Sequence, residues 1–198
     1  MADRITLDVY DLRASEYAQV TASDGAAATL QTFIDALPTG AKVLDLGCGP
    51  GASAAWMAKA GLLPEAWDAS SGMVALAAKL PGVTARLASF DDLADAATDS
   101  FDAVWANFSL LHAPRKALPR HLGEIARILR PGGLFHIAVK EGTGARRDRL
   151  GRLYSFYAEA DLTALLIAAG LTPGPFARGR DRGLDGALSD WISVTAHG

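Results

Sequence analysis

Short apolar runs alternate with alanine-rich stretches of helical spacing along most of the chain. AKVLDLG (41–47) reads as a buried strand, and ASAAWMAKAG (52–61), closed by Gly61, as a short helix. LPEAWDAS (63–70) is strand-like despite its proline and glutamate, and SGMVALAAKL (71–80) starts on serine and stops at Pro81-Gly82, as a helix does. VTARLA (83–88), FDAVWAN (101–107) and LFHIAVK (134–140) are three more strands. Before the last of them, HLGEIARILRPGG carries apolar residues at Leu122, Ile125, Ile128 and Leu129, predicting a helix stopped by Pro131-Gly132-Gly133. A helix over EADLTALLIAAG (159–170) precedes two late strands, GPFARGR and DWISVTAHG. Regular alternation of strand and helix predicts an α/β fold, a parallel sheet covered on both faces. The late pair, with only DRGLDGALS between, closes as an antiparallel hairpin and makes the sheet mixed.

Composition narrows the classes of function. The 198 residues suit one domain, half of them are apolar and 21% charged, so an ordinary globular core is expected. A net charge of −3 gives no field for nucleic acid. The lone Cys48 excludes an internal disulfide and leaves too few thiols for a cysteine zinc site, and no metal is expected. MADRITLDVYDLRASEY has no apolar core of signal-peptide type, and no apolar run is long enough for a bilayer. A soluble cytoplasmic protein with no membrane partner is the expectation.

The most informative stretch is DLGCGPG, where glycines crowd the end of the first strand. Ligands of open α/β sheets lie beyond the carboxyl ends of strands. Gly47, Gly49 and Gly51 admit backbone angles closed to other residues and let a ligand approach the main chain. Asp68 ends the second strand about 20 residues on, where a carboxylate can accept both hydroxyls of a ribose. This pairing points to a nucleoside-containing cofactor, and a tight turn with no ligand is the alternative. The spacing G-x-G-x-G, with Pro50 in the loop, departs from the dinucleotide pattern G-x-G-x-x-G. An NAD-dependent oxidoreductase is therefore disfavoured.

DLGCGPG, with Asp45 ahead of its first glycine, resembles the first motif of the class I S-adenosylmethionine-dependent methyltransferases. WDASSGMVALA is similar to that family's second-strand motif, and FDAVWANFSLLH to its fourth. HLGEIARILRPGGLFHIA is similar to its helix and fifth strand, and VYDLRASEYAQV resembles a helix that covers the methionine end of the cofactor. The resemblance implies a Rossmann-like three-layer sandwich whose seven-stranded, mostly parallel sheet has an antiparallel last strand. One methyltransferase domain would span 1–198, with a helical lid over about 1–37, a cofactor-binding core over about 41–140, and a C-terminal helix and strand hairpin over about 157–198. The cofactor would be S-adenosyl-L-methionine, leaving as S-adenosyl-L-homocysteine. By the same resemblance Asp45 would hold the amino end, and Gly47, Cys48, Gly49 and Gly51 would pass the methionine part and ribose. Asp68, with Ala69 beside it, would take the ribose hydroxyls, and Ser70 and Met73 would flank the adenine. Asn107 and Phe108 would line the place where methyl group and acceptor meet. Where the family carries an acid after the third strand, this chain has Ser89, whose hydroxyl accepts a hydrogen bond more weakly than a carboxylate. Asp91 or Asp92 could substitute, or form a solvated acidic loop, and Phe90 would neighbour the ring.

Methyl transfer from a sulfonium needs alignment and exclusion of water, and a base only when the acceptor must lose a proton. His112, in FSLLHAP beyond the fourth strand, is the candidate; a hydrogen-bonded or solvent-facing histidine at a helix start is the alternative. His121 and His136 read as structural and His197 as exposed. Tyr10 and Tyr17 share a helix face and would either close over the cofactor and substrate or pack the helix on the domain, with Tyr10 the stronger lid candidate. Trp56 and Trp105 read as core, while Tyr154 and Tyr157 stand beside the loop after the fifth strand. GARRDRLGR (144–152) would attract an anionic substrate or form a solvated helix face. Short insertions point to a small-molecule acceptor and a monomer or homodimer. A cofactor-binding regulator without transfer is the second reading.

Overall fold

The computed structural model describes residues 3–21 and 27–198, with the side chains of residues 20 and 21 left aside. The expected lid segment therefore lies in part outside the described residues. Three helices, α1 (Arg4–Leu12), α2 (Ala14–Thr21) and α3 (Ala28–Asp35), lead into the alternating core. There β1 (Lys42–Leu46), α4 (Ala52–Lys59), β2 (Leu63–Asp68), α5 (Ser71–Ala77), β3 (Thr84–Leu87) and β4 (Phe101–Asn107) follow one another. Next come α6 (Leu118–Ile128), β5 (Leu129–Lys140), a small pair β6 (Ala145–Arg147) and β7 (Leu153–Ser155), α7 (Glu159–Ala168), β8 (Thr172–Arg182) and β9 (Leu188–His197).

The main sheet has seven strands in the order β3-β2-β1-β4-β5-β9-β8. Pairings from β3 through β5 are parallel, and β9 runs antiparallel to both β5 and β8. Strands β1 and β4 carry apolar side chains on both faces because both faces are covered: Val43, Leu44, Ala103 and Val104 are fully buried. On one face Leu44, Leu46, Val104 and Phe135 pack with Leu122 and Ile125 of α6 and Leu162 of α7. On the other, Val43, Ala103 and Trp105 meet Phe33 and Ile34 of α3 and Met57 of α4. Three layers result, as expected. Successive strands run outward in opposite directions from β1 and β4, so a crevice opens beyond their carboxyl ends.

Three local expectations change. Helix α6 ends at Ile128 and Leu129 is already extended, because Arg130 precedes a proline and is pushed out of helical angles. The late hairpin turns within residues 183–187 instead of the longer DRGLDGALS. The basic run 144–152 forms no helix. Gly144 and Gly151 take positive φ (72° and 88°), and Asp148 accepts hydrogen bonds from the backbone N–H groups of Leu150 (3.0 Å) and Arg152 (2.9 Å). That side-chain turn competes with helix and folds the run back as β6–β7.

Candidate active site

The crevice holds two adjoining cavities. The larger in overall extent, about 870 Å³ including space open to solvent, reaches from Asp68 and Met73 to Tyr10 and His112, and the other, about 770 Å³ on the same measure, lies against Asp45, Cys48 and Trp56. Tyr17, Gly47, Gly49 and Asn107 border both, so the glycine loop is the sill between them.

Each glycine of the loop meets a different constraint. A Cβ on Gly47 would lie 2.3 Å from the Cβ of Ser109, and one on Gly51 would lie 2.8 Å from that of Ala77. Gly51 caps α4 where it packs on α5 and borders neither cavity, which corrects its placement among ligand contacts. A Cβ on Gly49 would have room, its nearest neighbour being the Tyr17 ring at 3.5 Å.

Asp68 ends β2, and its carboxylate accepts from the backbone N–H of Gly49 (2.9 Å) and of Ser70 (2.8 Å), which fixes the loop against the strand end. The Ala69 N–H is a third backbone donor to this carboxylate. Burial pushes its pKa up. Asp45, inside β1 and only 3% exposed, leaves Oδ2 without a partner. Burial first, then the nearby Asp68, raise its pKa to about 7 against the N–H of Ala54. A buried carboxyl with an orphaned oxygen on a cavity wall is made for a cationic group. Burial also pushes the Cys48 thiol up, and its Sγ donates to the Gly49 carbonyl, so Cys48 is a neutral wall and no nucleophile.

Ala69, Met73, Ser89, Phe90 and Phe108 border the larger cavity as well. Ser70 does not. Its hydroxyl caps α5, accepting from the Met73 N–H, and donates to Asp11 of α1 at 2.6 Å. Ser89 is engaged too: it opens a 3-10 turn over Phe90–Asp95, its hydroxyl donating to Asp92 (2.8 Å) while that carboxylate accepts from the Ser89 N–H. Asp92 is thereby held in the cap, off the cavity, and Asp91 pairs with Arg120. The capping box holds Asp92 off the cavity, whereas the Ser89 oxygen, which donates to Asp92 and accepts from the Asp91 N–H, keeps one lone pair at the cavity edge. Asn107 ends β4, and Phe108 takes φ +55°, an uncommon angle for a large side chain at a strand end facing a cleft.

At the far end Tyr10 and His112 meet, with Oη and Nε2 2.8 Å apart. His112 ends a 3-10 turn after β4, and its Nδ1 lies 2.7 Å from the carbonyl of Leu153. A carbonyl only accepts, so Nδ1 carries the proton. Burial lowers the imidazole to about 4, leaving it neutral, and Nε2 must then accept from the Tyr10 hydroxyl. Burial, more than its neighbours, raises the Tyr10 phenol well above its ordinary value. The Tyr10 oxygen also accepts from Arg152, at 3.0 Å. Arg152, 1% exposed, is held through Nε and Nη2 by Asp148 (2.9 and 2.7 Å).

Helix α1 brings Tyr10 here because it is tied at several points. Asp11 accepts from Ser70 and from the Gly72 N–H, Thr6 accepts from the Leu153 N–H at 2.8 Å, and Asp3 pairs with Arg147. Arg147 holds the Asp3 carboxyl well below the ordinary range. Tyr17 crosses the Tyr10 ring edge-on at 5.6 Å. His136 stacks on Trp105 in the core, whereas His121 borders the larger cavity, which its helix position concealed. Asp148 and Arg152 were the other concealed members. The signal was an aspartate between two glycines, four residues before an arginine.

Known proteins similar to this chain include methyltransferases. Residues 43–133 match the methyltransferase domain model. The chain is 43% identical over 115 residues to methyltransferase GfsG of Streptomyces halstedii, covering 52% of this chain and 40% of that one. Over 153 residues it is 33% identical to a demethylmenaquinone methyltransferase of Beutenbergia cavernae, covering 77% and 60%. Among solved structures, the 1,6-didemethyltoxoflavin-N1-methyltransferase of Burkholderia thailandensis, with bound 1,6-didemethyltoxoflavin and S-adenosylhomocysteine, superposes with a TM-score of 0.76. It is 26% identical and the match covers 98% of this chain and 87% of that one. The matches are to S-adenosylmethionine-dependent methyltransferases, and over its core the chain is similar to them in both sequence and fold. It spans about half the length of the curated relatives it matches.

The residues present fit that family's cofactor. The unpartnered Oδ2 of Asp45 suits the cationic amino group, the Asp68 carboxylate at the end of β2 suits a ribose hydroxyl, and Met73 and Phe90 offer soft apolar walls to a purine. No helix among the described residues is long and apolar enough to cross a membrane.

Proposed function

We propose that this chain uses S-adenosylmethionine to methylate a small, ring-bearing molecule. The observation that carries this reading is one crevice with two chemically distinct ends joined at the glycine sill. Carboxyl groups for the cofactor's amino and ribose groups stand at one end, and a neutral tyrosine–histidine pair stands at the other. When bound, the cofactor supplies a methyl group on a sulfonium, already electrophilic. Asp45 and Asp68 then anchor and orient, and Met73, Phe90 and Tyr17 exclude water. Asn107 and Phe108 border the meeting point, and Tyr10 with His112 handles an acceptor proton.

Similarity to methyltransferases whose names specify a demethylmenaquinone and a toxoflavin precursor favours a flat cyclic acceptor. The apolar lining by Leu7, Phe108 and Pro114 agrees with one. Helices α1 and α2 act as the lid, and the protein works in the cytoplasm as a monomer or homodimer without nucleic acid. The test is incubation with S-adenosylmethionine and a panel of hydroxylated and aza-aromatic rings, followed by detection of S-adenosylhomocysteine and a methylated ring. Product from any ring supports the reading. Tight S-adenosylhomocysteine binding with no transfer to the whole panel would favour the second reading, a cofactor-binding regulator, for which the absent acid at Ser89 speaks.

A further inference from the structure

Asp45 shares its cavity wall with a second buried group that lacks a partner. Trp105 of β4, 2% exposed, has an indole Nε1–H that meets no acceptor among the described residues. The two residues are register partners. Strands β1 and β4 pair in parallel with Asp45 opposite Trp105, so both side chains leave the same face of the sheet from backbones about 4.8 Å apart. They do not satisfy each other, since Oδ2 of Asp45 and Nε1 of Trp105 are both left over. Both residues border the cavity that lies against Cys48 and Trp56. The start of α4 borders it too, through Ala52 and Ser53, and Asp45 accepts there from the Ala54 N–H. Packing fixes the indole in place: the His136 ring stacks on it at 3.9 Å and the Phe33 ring of α3 lies at 4.9 Å. An indole N–H only donates and an ionised carboxylate only accepts, and buried groups of either kind are normally paired.

We infer that Asp45 and Trp105 together read an α-amino acid group, with Trp105 donating its indole N–H to the carboxylate of the cofactor's methionine part. This rests on the methyltransferase reading above and deepens it. An ammonium and a carboxylate on one carbon need an acceptor and a donor side by side, which is what the two register partners leave over. Asp45 and the neighbouring Asp68 repel a carboxylate, so it needs a donor of its own at this end. The neutral indole supplies one, and the first turn of α4, with its free N–H groups and partial positive charge, favours an anion beside it. The arrangement selects a zwitterion. An amine without the carboxylate leaves the indole unpaired, and a nucleoside thioether lacking both groups leaves both residues unpaired.

The test compares S-adenosylhomocysteine with its decarboxylated form, S-adenosyl-3-thiopropylamine, on the full chain. In proton–nitrogen NMR of the wild type, the assigned Trp105 indole signal should move downfield with S-adenosylhomocysteine and stay near its free position with the amine. By calorimetry, Trp105→Phe should bind S-adenosylhomocysteine about 10-fold more weakly and bind the amine as the wild type does. An indole signal that moves equally with the two ligands, or with neither, would overturn the inference, because the N–H then meets a trapped water or nothing. Equal weakening of both ligands in Trp105→Phe would overturn it as well and make Trp105 a packing residue. Should that variant not fold, the wild-type signal decides alone. If the wild type binds neither ligand, the methyltransferase reading falls and the assignment with it, whereas S-adenosylhomocysteine bound beside an unmoved indole sinks only the role of Trp105.

Discussion

The two ends of the crevice are built by different means. The cofactor end is a short piece of chain in which backbone does most of the work: a strand end, three glycines and two aspartates within β1 and β2. The acceptor end is assembled from side chains of α1, the turn after β4, and the β6–β7 hairpin, residues more than a hundred positions apart. A local construction tolerates change elsewhere and fails when its own backbone is disturbed. A construction from distant side chains depends on buried polar partners that must all be present.

The largest effect is expected at the second end. Arg152→Met leaves Asp148 charged and unpaired inside the protein, so stability should fall by about 3–5 kcal/mol, read as a lowered Cm in urea. Tyr10→Phe removes only a hydroxyl. Turnover of a hydroxylated acceptor should drop about 10²–10⁴-fold with melting temperature nearly unchanged, and an equal loss of stability would make Tyr10 a packing residue.

At the cofactor end the sharpest effect is one of pH. Asp45 has its pKa raised from 3.8 to about 7, so the folded protein keeps a proton that the unfolded chain has released. Stability from this group therefore falls as pH rises from about 4 to about 7, by up to about 4 kcal/mol for a shift of this size. Asp45→Asn should flatten that slope, and S-adenosylhomocysteine, bringing an ammonium, should stabilise the wild type more at the upper end of the window. A slope unchanged in Asp45→Asn would assign the titration to another group.

The glycines should show the smallest and most graded effects. Gly47→Ala forces a Cβ to 2.3 Å from Ser109 at a positive φ, whereas at Gly49 the nearest atom is 3.5 Å away. Gly47→Ala should cost about 1–3 kcal/mol of stability, and Gly49→Ala less, with its main loss in cofactor affinity. Reversal of that order would mean the loop is organised otherwise.

The same contrast explains what was legible in the sequence. The alternating pattern predicted the mixed sheet, because burial on both faces writes itself into strands such as β1 and β4. Asp45, Gly49 and Asp68 could be named as candidates because the loop and the strand end that hold them are local. The capping roles of Ser70 and Ser89 were not legible, because serine at a strand-to-helix junction serves a cap as readily as a ligand and only geometry shows the cap. The basic run hid its role for a different reason. Charge counting sees four arginines, and only the Asp148 turn shows that Arg152 is folded inward while Arg147 clamps Asp3 at the surface. Tyr10 and His112 were each named as candidates, but that they form a pair, and which of them donates, comes from contacts across the chain.

The most direct test of a cofactor end and an acceptor end that act separately is calorimetric titration with S-adenosylhomocysteine of the wild type, Asp68→Ala and Tyr10→Phe. Micromolar-range binding by the wild type is expected, with binding about 10–100-fold weaker in Asp68→Ala and wild-type affinity in Tyr10→Phe. No binding by the wild type, or equal losses in the two variants, would contradict that separation.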